Sequence, residues 1–179
     1  MRSLSSRLLV SVSVLLLVFF GATIAVLDSA FTEAGEQARR DILDGHLVAL
    51  LAAAEPDDSG QLMLPDRLRE PRFENIGSGL YAELRDAGGE VIWRSRSALG
   101  LEIPKGITPE AGNHLFARES LEDGTPLLTL SLTVQWEFSD EELRPYVFKV
   151  ADSLDSFNAQ VEGLRRKLFG WFAAVAMTM

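Results

Sequence analysis

The sequence has no cysteine in its 179 residues. That excludes disulfides, thiolate zinc sites and cysteine nucleophiles, and it leaves apolar burial to hold any domain together. Histidine is nearly absent too, with only His46 and His114. Neither has neighbours at the spacing of a metal or catalytic site. There is no Gly-rich phosphate loop, no nucleophile elbow and no pair of carboxylates in a catalytic frame. Positive charge is scarce where negative charge is dense. All 26 acidic residues lie between Asp28 and Glu162, while five of the 17 basic ones (Arg2, Arg7, Arg165, Arg166 and Lys167) lie outside that stretch. The middle holds 12 basic against 26 acidic residues, a formal net charge of −14. Such a domain repels phosphate, which argues against nucleic acid as a partner. It suits cations or cationic ligands.

The ends lack charge in a different sense. Leu8 to Leu27 carries no charged residue over 20 positions, enough helix to span a hydrocarbon core of roughly 30 Å. Arg2 and Arg7 precede it and Asp28, Glu33 and Glu36 follow. The positive-inside rule then places residues 1–7 in the cytoplasm and the acidic middle outside. The competing reading is a cleaved signal peptide with Thr23-Ile24-Ala25 as its small-residue site. The apolar run is longer than the usual h-region of about 7–15 residues, which favours the retained span. Residues 168–179, LFGWFAAVAMTM, are again uncharged. They read as the start of a second span, truncated because about 20 residues are needed. Arg165, Arg166 and Lys167 would then stand on the outer side, against the charge rule, with long stems able to snorkel to the headgroups.

Between the spans the chain reads as a mixed α/β domain over residues 28–167. Asp28 to Glu55 is rich in Ala, Leu, Glu and Arg and free of proline, so it predicts a helix continuous with the membrane segment. Leu27, Phe31, Ala34, Ala38, Ile42, Gly45, Ala49 and Ala52 form a stripe at three- and four-residue steps, small enough for another helix to approach. Pro56 to Gly60 reads as a loop, and Leu64 to Asn75 as room for one short helix. Leu80, Ala82 and Leu84 alternate with Tyr81, Glu83 and Arg85. The turn Asp86–Gly89 and the return Glu90–Ser95 complete a hairpin. Ser97 to Asn113, with three glycines and two prolines, is mostly loop.

A second hairpin joins His114–Leu121 to Pro126–Glu137 through Asp123-Gly124. Leu128, Leu130, Leu132, Val134 and Trp136 alternate with Thr129, Ser131, Thr133, Gln135 and Glu137, the pattern of an antiparallel sheet with one wet face. After Ser139–Arg144 the chain returns through Tyr146, Phe148 and Val150. Trp93, Trp136, Phe116 and Phe148 are the expected aromatic core. Asp152-Ser153 can cap the next helix, with Asp155 in its first turn. There Leu154, Phe157, Val161, Leu164, Leu168 and Trp171 form a heptad-like seam that runs into the second apolar segment and is a candidate signal relay. Trp171 falls where an aromatic ring suits the membrane boundary. The expected class is α+β: an antiparallel sheet of about five strands with helices on one side.

Two acidic turns are the candidate metal sites. Glu137, Asp140, Glu141 and Glu142 surround one, and Glu119, Glu122 and Asp123 surround the other. Carboxylates are the ligands that hard divalent cations prefer, although neither turn has EF-hand spacing and charge-rich turns are commonly just solvated. Successive turns of a meander fall at opposite sheet ends, so the two do not form one site. No cofactor is expected in this chain beyond a divalent cation as ligand.

The stretches LRDAGGEVIWRS (Leu84–Ser95) and YVFKVADSLDSFNAQVEGLRRKLFGW (Tyr146–Trp171) resemble the central hairpin and the final strand with exit helix of a known group. The layout is similar to the sensor region of bacterial two-component histidine kinases, and within them to PhoQ-type sensors. The resemblance implies a PAS-like (PDC-type) sheet flanked by transmembrane helices. It implies a homodimer in the bacterial inner membrane with a periplasmic sensor, responding to divalent cations or cationic peptides and controlling autophosphorylation. A cytoplasmic response regulator and ATP would belong to a kinase part beyond Met179, because HAMP linker, phosphoacceptor and ATP-binding domains are all missing from these residues. Other outputs keep the receptor layout: a chemoreceptor, a cyclic-dinucleotide enzyme, or a tethered binding or assembly module with no enzyme.

Overall fold

The computed structural model describes residues 4–57, 61–139 and 142–155. Helix α1 (Leu4–Ala53) covers the predicted membrane segment and the predicted outer helix as one element. It contains no proline, and it stops two residues before Glu55-Pro56, where the ring of Pro56 disfavours helical backbone at the preceding residue. Arg39–Asp155 forms one compact unit, and the helix up to Ala38 belongs to another. Here Leu8, Leu15 and Phe19 point outward, the arrangement of a helix whose solvent is hydrocarbon. The hydroxyls of Ser11 and Thr23 donate back to the carbonyls of Arg7 and Phe19, so neither adds an unsatisfied polar group to the apolar surface. Among the described residues this is the one helix long and apolar enough to cross a membrane.

The compact unit is built on an antiparallel sheet. Its strands are β3 (Leu80–Arg85), β4 (Val91–Arg94), β5 (His114–Ser120), β6 (Pro126–Ser139) and β7 (Glu142–Ser153), in spatial order β4-β3-β7-β6-β5. A separate two-stranded pair, β1 (Glu55–Pro56) with β2 (Leu62–Met63), follows the helix. Both predicted hairpins are present as antiparallel pairs, β3 with β4 and β5 with β6. Strands β6 and β7 run further than the alternation suggested, reaching Ser139 and Glu142. The short helix expected within Leu64–Asn75 is a single 3₁₀ turn, Pro71–Phe73, whose two prolines' worth of lost donors nearby leave no room for a longer ladder.

The register sets the core. Leu84, Phe148 and Leu132 lie side by side across β3, β7 and β6, and Ala82, Val150 and Leu130 form the next row. Leu43, Leu47 and Leu50 of α1, and Ala54 just after it, pack on these rows together with Phe73 and Leu154. Phe148 is fully buried, while Trp93, Phe116 and Trp136 are partly buried against the same core.

The small-residue stripe lies outside the sheet core: Ile42, Gly45 and Ala49 are exposed, and the neighbouring leucine stripe is buried. Leucine removes far more apolar area per residue than glycine or alanine, so the helix turns its leucines inward. One expectation changes: the polar face of β6 is wet only at Gln135 and Glu137. Thr129, Ser131 and Thr133 are buried, because the segment Leu99–Asn113 crosses that face, with Ile103 and Leu121 forming a second small core beside Tyr81 and Ala151. Thr133 Oγ1 donates to Pro109 O at 2.7 Å, and Gly112 N donates to Thr133 O at 2.8 Å, which satisfies the covered polar groups.

Leu47→Ala should lower unfolding stability by about 2–5 kcal/mol, because Leu47 is completely buried and its loss leaves a cavity. The midpoint of denaturant unfolding measures it, and a change below about 0.5 kcal/mol would contradict the packing of α1 on the sheet.

Candidate functional site

Two polar constellations sit on opposite faces of the sheet. The first is centred on Asp152. On the helix-facing side its row is Leu80, Asp152 and Leu128, so a carboxylate occupies a position where the pattern calls for an apolar side chain. It is held by two arginines. Arg39 of α1 donates from Nη1 to Oδ2 at 2.7 Å, and Arg72 of the 3₁₀ turn donates from Nη2 to Oδ1 at 2.7 Å. Each arginine also donates to backbone, Arg39 to Ser153 O and Arg72 to Ser78 O. Ser78 Oγ in turn donates to Arg72 O at 2.6 Å, which fixes that loop. Both oxygens of Asp152 are thus engaged by charged donors, and one carboxylate ties the helix to the last residues of β7. The sequence suggested Asp152 as a helix cap. It lies within β7 instead, and Ser153 Oγ accepts from Asp155 N at 3.3 Å.

Two further residues of α1 make polar contacts with β5. Arg40 lies over the Phe116 ring at 5.2 Å, and Asp44 is 3.4 Å from His114 Nδ1. His46 packs edge-on to Phe73 at 5.6 Å, beside a cavity of 370 Å³ between α1 and residues 65–73. Burial pulls its pKa below the usual histidine value, so the neutral ring is favoured there.

The second constellation lies under Leu99–Asn113. Lys149, at the centre of β7, is 2% exposed. It pairs with Glu119 Oε2 at 2.7 Å and donates to the carbonyls of Pro104 and Lys105. Gly106 has φ +61, and a Cβ there would collide with Glu119 Oε1, so only glycine lets the loop approach this pair. Across the strand from Lys149 stands Glu83, 1% exposed. Arg85 donates from Nε to Glu83 Oε1 at 2.6 Å, and Arg94 Nη2 is 3.8 Å from Oε2. Glu83 Oε2 and Arg94 Nε are buried without a hydrogen-bond partner. Burial raises the Glu83 pKa, opposed by Arg85, Lys149 and Arg94.

The candidate metal residues are dispersed. Glu119 is committed to Lys149. The Asp123 carboxylate accepts from Thr125 N at 2.8 Å, and this bond lowers its pKa. Glu122 borders a cleft on the far face. Glu137 pairs in register with Leu143 in the β6–β7 ribbon. Asp140 and Glu141 lie outside the described residues, as does the Glu142 side chain. Since β6 runs from Pro126 to Ser139, the two acidic turns stand at its opposite ends. Among the described residues, no group of three or more His, Asp or Glu side chains is arranged to hold a metal. Of the candidate relay residues, Leu154 is buried in the main core. Phe157, Val161, Leu164, Leu168 and Trp171 lie outside the described residues.

A raised folded-state pKa means that the native protein takes up the Glu83 proton at a higher pH than the unfolded chain. The associated stability is full below the unfolded value, about 4.3, and is lost as pH rises through the folded value. Glu83→Gln removes this term. The melting temperature of the wild type should therefore fall relative to Glu83→Gln on going from about pH 4 to about pH 8. Parallel profiles for the two proteins would show that Glu83 is not desolvated as described. Asp152→Asn should cost about 1–3 kcal/mol, since two charge-assisted bonds weaken at a partly exposed site. Equilibrium unfolding measures that loss.

No family profile matches the chain, and no solved structure matches it. Over 178 residues, 99% of its length, it is 23% identical to "Two-component sensor PhoQ" of Pseudomonas aeruginosa. The chain spans 39% of that relative's length. The similarity runs through the apolar helix and the whole sheet domain, and it supports a sensor-kinase-like region in a chain whose first helix fits a transmembrane segment.

Proposed function

We propose that this chain is the signal-receiving portion of a membrane-bound two-component histidine kinase of the PhoQ type, with residues 28–167 on the periplasmic side of the inner membrane. The observation that carries the reading is the similarity to a two-component sensor over 99% of the chain. In the proposal the kinase part, its ATP and a cytoplasmic response regulator lie beyond these residues, and two copies act together. The net charge of −14 on the acidic middle favours divalent cations or cationic peptides as the signal. The acidic turns at Glu119–Asp123 and Glu137–Glu142 remain the places to look for them.

The Asp152 clamp supports a route for the signal. Arg39 sits on the helix that follows the membrane segment, and Asp152 sits just before the predicted exit helix. A ligand that favours one of two arrangements around Asp152 would move the two helical connections relative to each other, because packed elements switch rather than deform continuously. The relay then passes along Leu154, Phe157, Val161, Leu164, Leu168 and Trp171.

The full-length polypeptide carrying this chain, reconstituted in membranes with ATP, should form phosphohistidine. Asp152→Asn should change its dependence on added Mg²⁺ several-fold while the protein stays folded. A full-length protein that forms no phosphohistidine would exclude the kinase and leave a chemoreceptor, a cyclic-dinucleotide enzyme or a tethered module. Mg²⁺ and Ca²⁺ titrated into the purified chain should shift its melting temperature upward, since a ligand that binds only the folded state stabilises it. A constant melting temperature would rule out a divalent site.

A further inference from the structure

The far face of the sheet carries a cleft that the clamp does not use and that meets the acidic turns only at Glu122. It has a volume of 510 Å³ and lies between the β3–β4 hairpin, the segment Glu102–Lys105 and the end of β5. That volume is within the roughly 300–1,000 Å³ typical of small-molecule sites. Its apolar wall is Val91, Ile103 and Leu121, of which Ile103 and Leu121 are buried. Its charged lining has both signs. Arg85 is already satisfied, donating to Glu83, Gly89 O and Ile103 O. Arg94 is held on two sides, Nη1 donating to Leu101 O and Nη2 lying 3.8 Å from Glu83 Oε2, while its Nε is buried with no acceptor. Lys105, Glu102 and Glu122 line the same cleft and make no ion pair among the described residues.

We propose that this cleft binds a small zwitterion, an α-amino acid with an apolar side chain. Its carboxylate would be taken by Lys105, with the Arg94 guanidinium adding positive charge at the cleft wall. Its ammonium would be taken by Glu102 and Glu122, and its side chain would lie on Ile103 and Leu121. The mixture of charges is what selects this class. A polyanion would meet two unneutralised glutamates, a simple cation would meet Arg94 and Lys105, and an uncharged ligand would leave Lys105, Glu102 and Glu122 unpaired. Charge-assisted bonds at both ends of one short molecule satisfy the set together. The proposal goes beyond the sensor reading and does not depend on which output domain follows.

The probe is L-leucine, compared with 4-methylpentanoate, which keeps the carboxylate and apolar body, and 3-methylbutylamine, which keeps the ammonium. Titration calorimetry on the full 179-residue chain in lipid nanodiscs should show saturable binding of leucine. Each half-analogue should bind about tenfold more weakly or less, the loss expected for one charge-assisted contact. Arg94→Gln and Glu122→Gln should each weaken leucine binding by about the same factor. Glu122 is exposed at a turn, so its variant keeps the fold even if Arg94→Gln does not. No saturable heat with leucine would overturn the proposal. So would equal affinity for 4-methylpentanoate, or unchanged affinity in Glu122→Gln.

Discussion

A lysine ammonium leaves water only where other groups replace the water, and Lys149 lies in the middle of the central strand with almost none of its surface exposed. Its requirements shape the far side of the domain. Glu119 must come to it from β5, and the carbonyls of Pro104 and Lys105 must come to it from the loop above. The loop can approach so closely only because Gly106 has no side chain. The residues on either side of Lys149 in the strand do the opposite. Phe148 and Val150 point to α1 and anchor the apolar core. One strand thus commits both faces of the sheet, the near face to helix packing and the far face to a buried polar layer.

The same strand ends in Asp152, where the near face gives way to the clamp. Through Arg39 and Arg72 this one carboxylate joins α1 and the 3₁₀ turn to the end of β7. The far-face cleft lies on the opposite face of the sheet from the Asp152 clamp, within the same compact unit. Binding there and rearrangement at the clamp would act on one sheet.

Much of the architecture was legible from local pattern. The strict alternation from Leu128 to Glu137 and the turns at Asp86–Gly89 and Asp123-Gly124 pointed to two hairpins, and the register places them as expected. Period-two alternation works there because one set of side chains must leave water. It does not reveal what the other set meets. Thr129, Ser131 and Thr133 look solvated by composition, yet a covering loop can satisfy hydroxyls as well as water can. Glu83 and Lys149 were likewise invisible as a buried layer, since charged residues on a strand are ordinarily exposed. Which side of α1 meets the sheet was not legible either, because apolar residues crowd the helix on several sides. Only the sheet opposite selects Leu43, Leu47 and Leu50.

The sequence by itself determined the uncharged helix of membrane-spanning length, the acidic middle, the hairpins and the α+β class. Each follows from composition or from a period shorter than one element, and neither depends on distant partners. Only the tertiary structure decided that Asp152 is shared between Arg39 and Arg72, that Lys149 reaches Glu119, and that Arg94, Lys105, Glu102 and Glu122 border one cleft. These groups come from positions far apart in the chain. Their pairing is set by strand order and by the path of a loop, and the free energy of a charge depends on what surrounds it after folding.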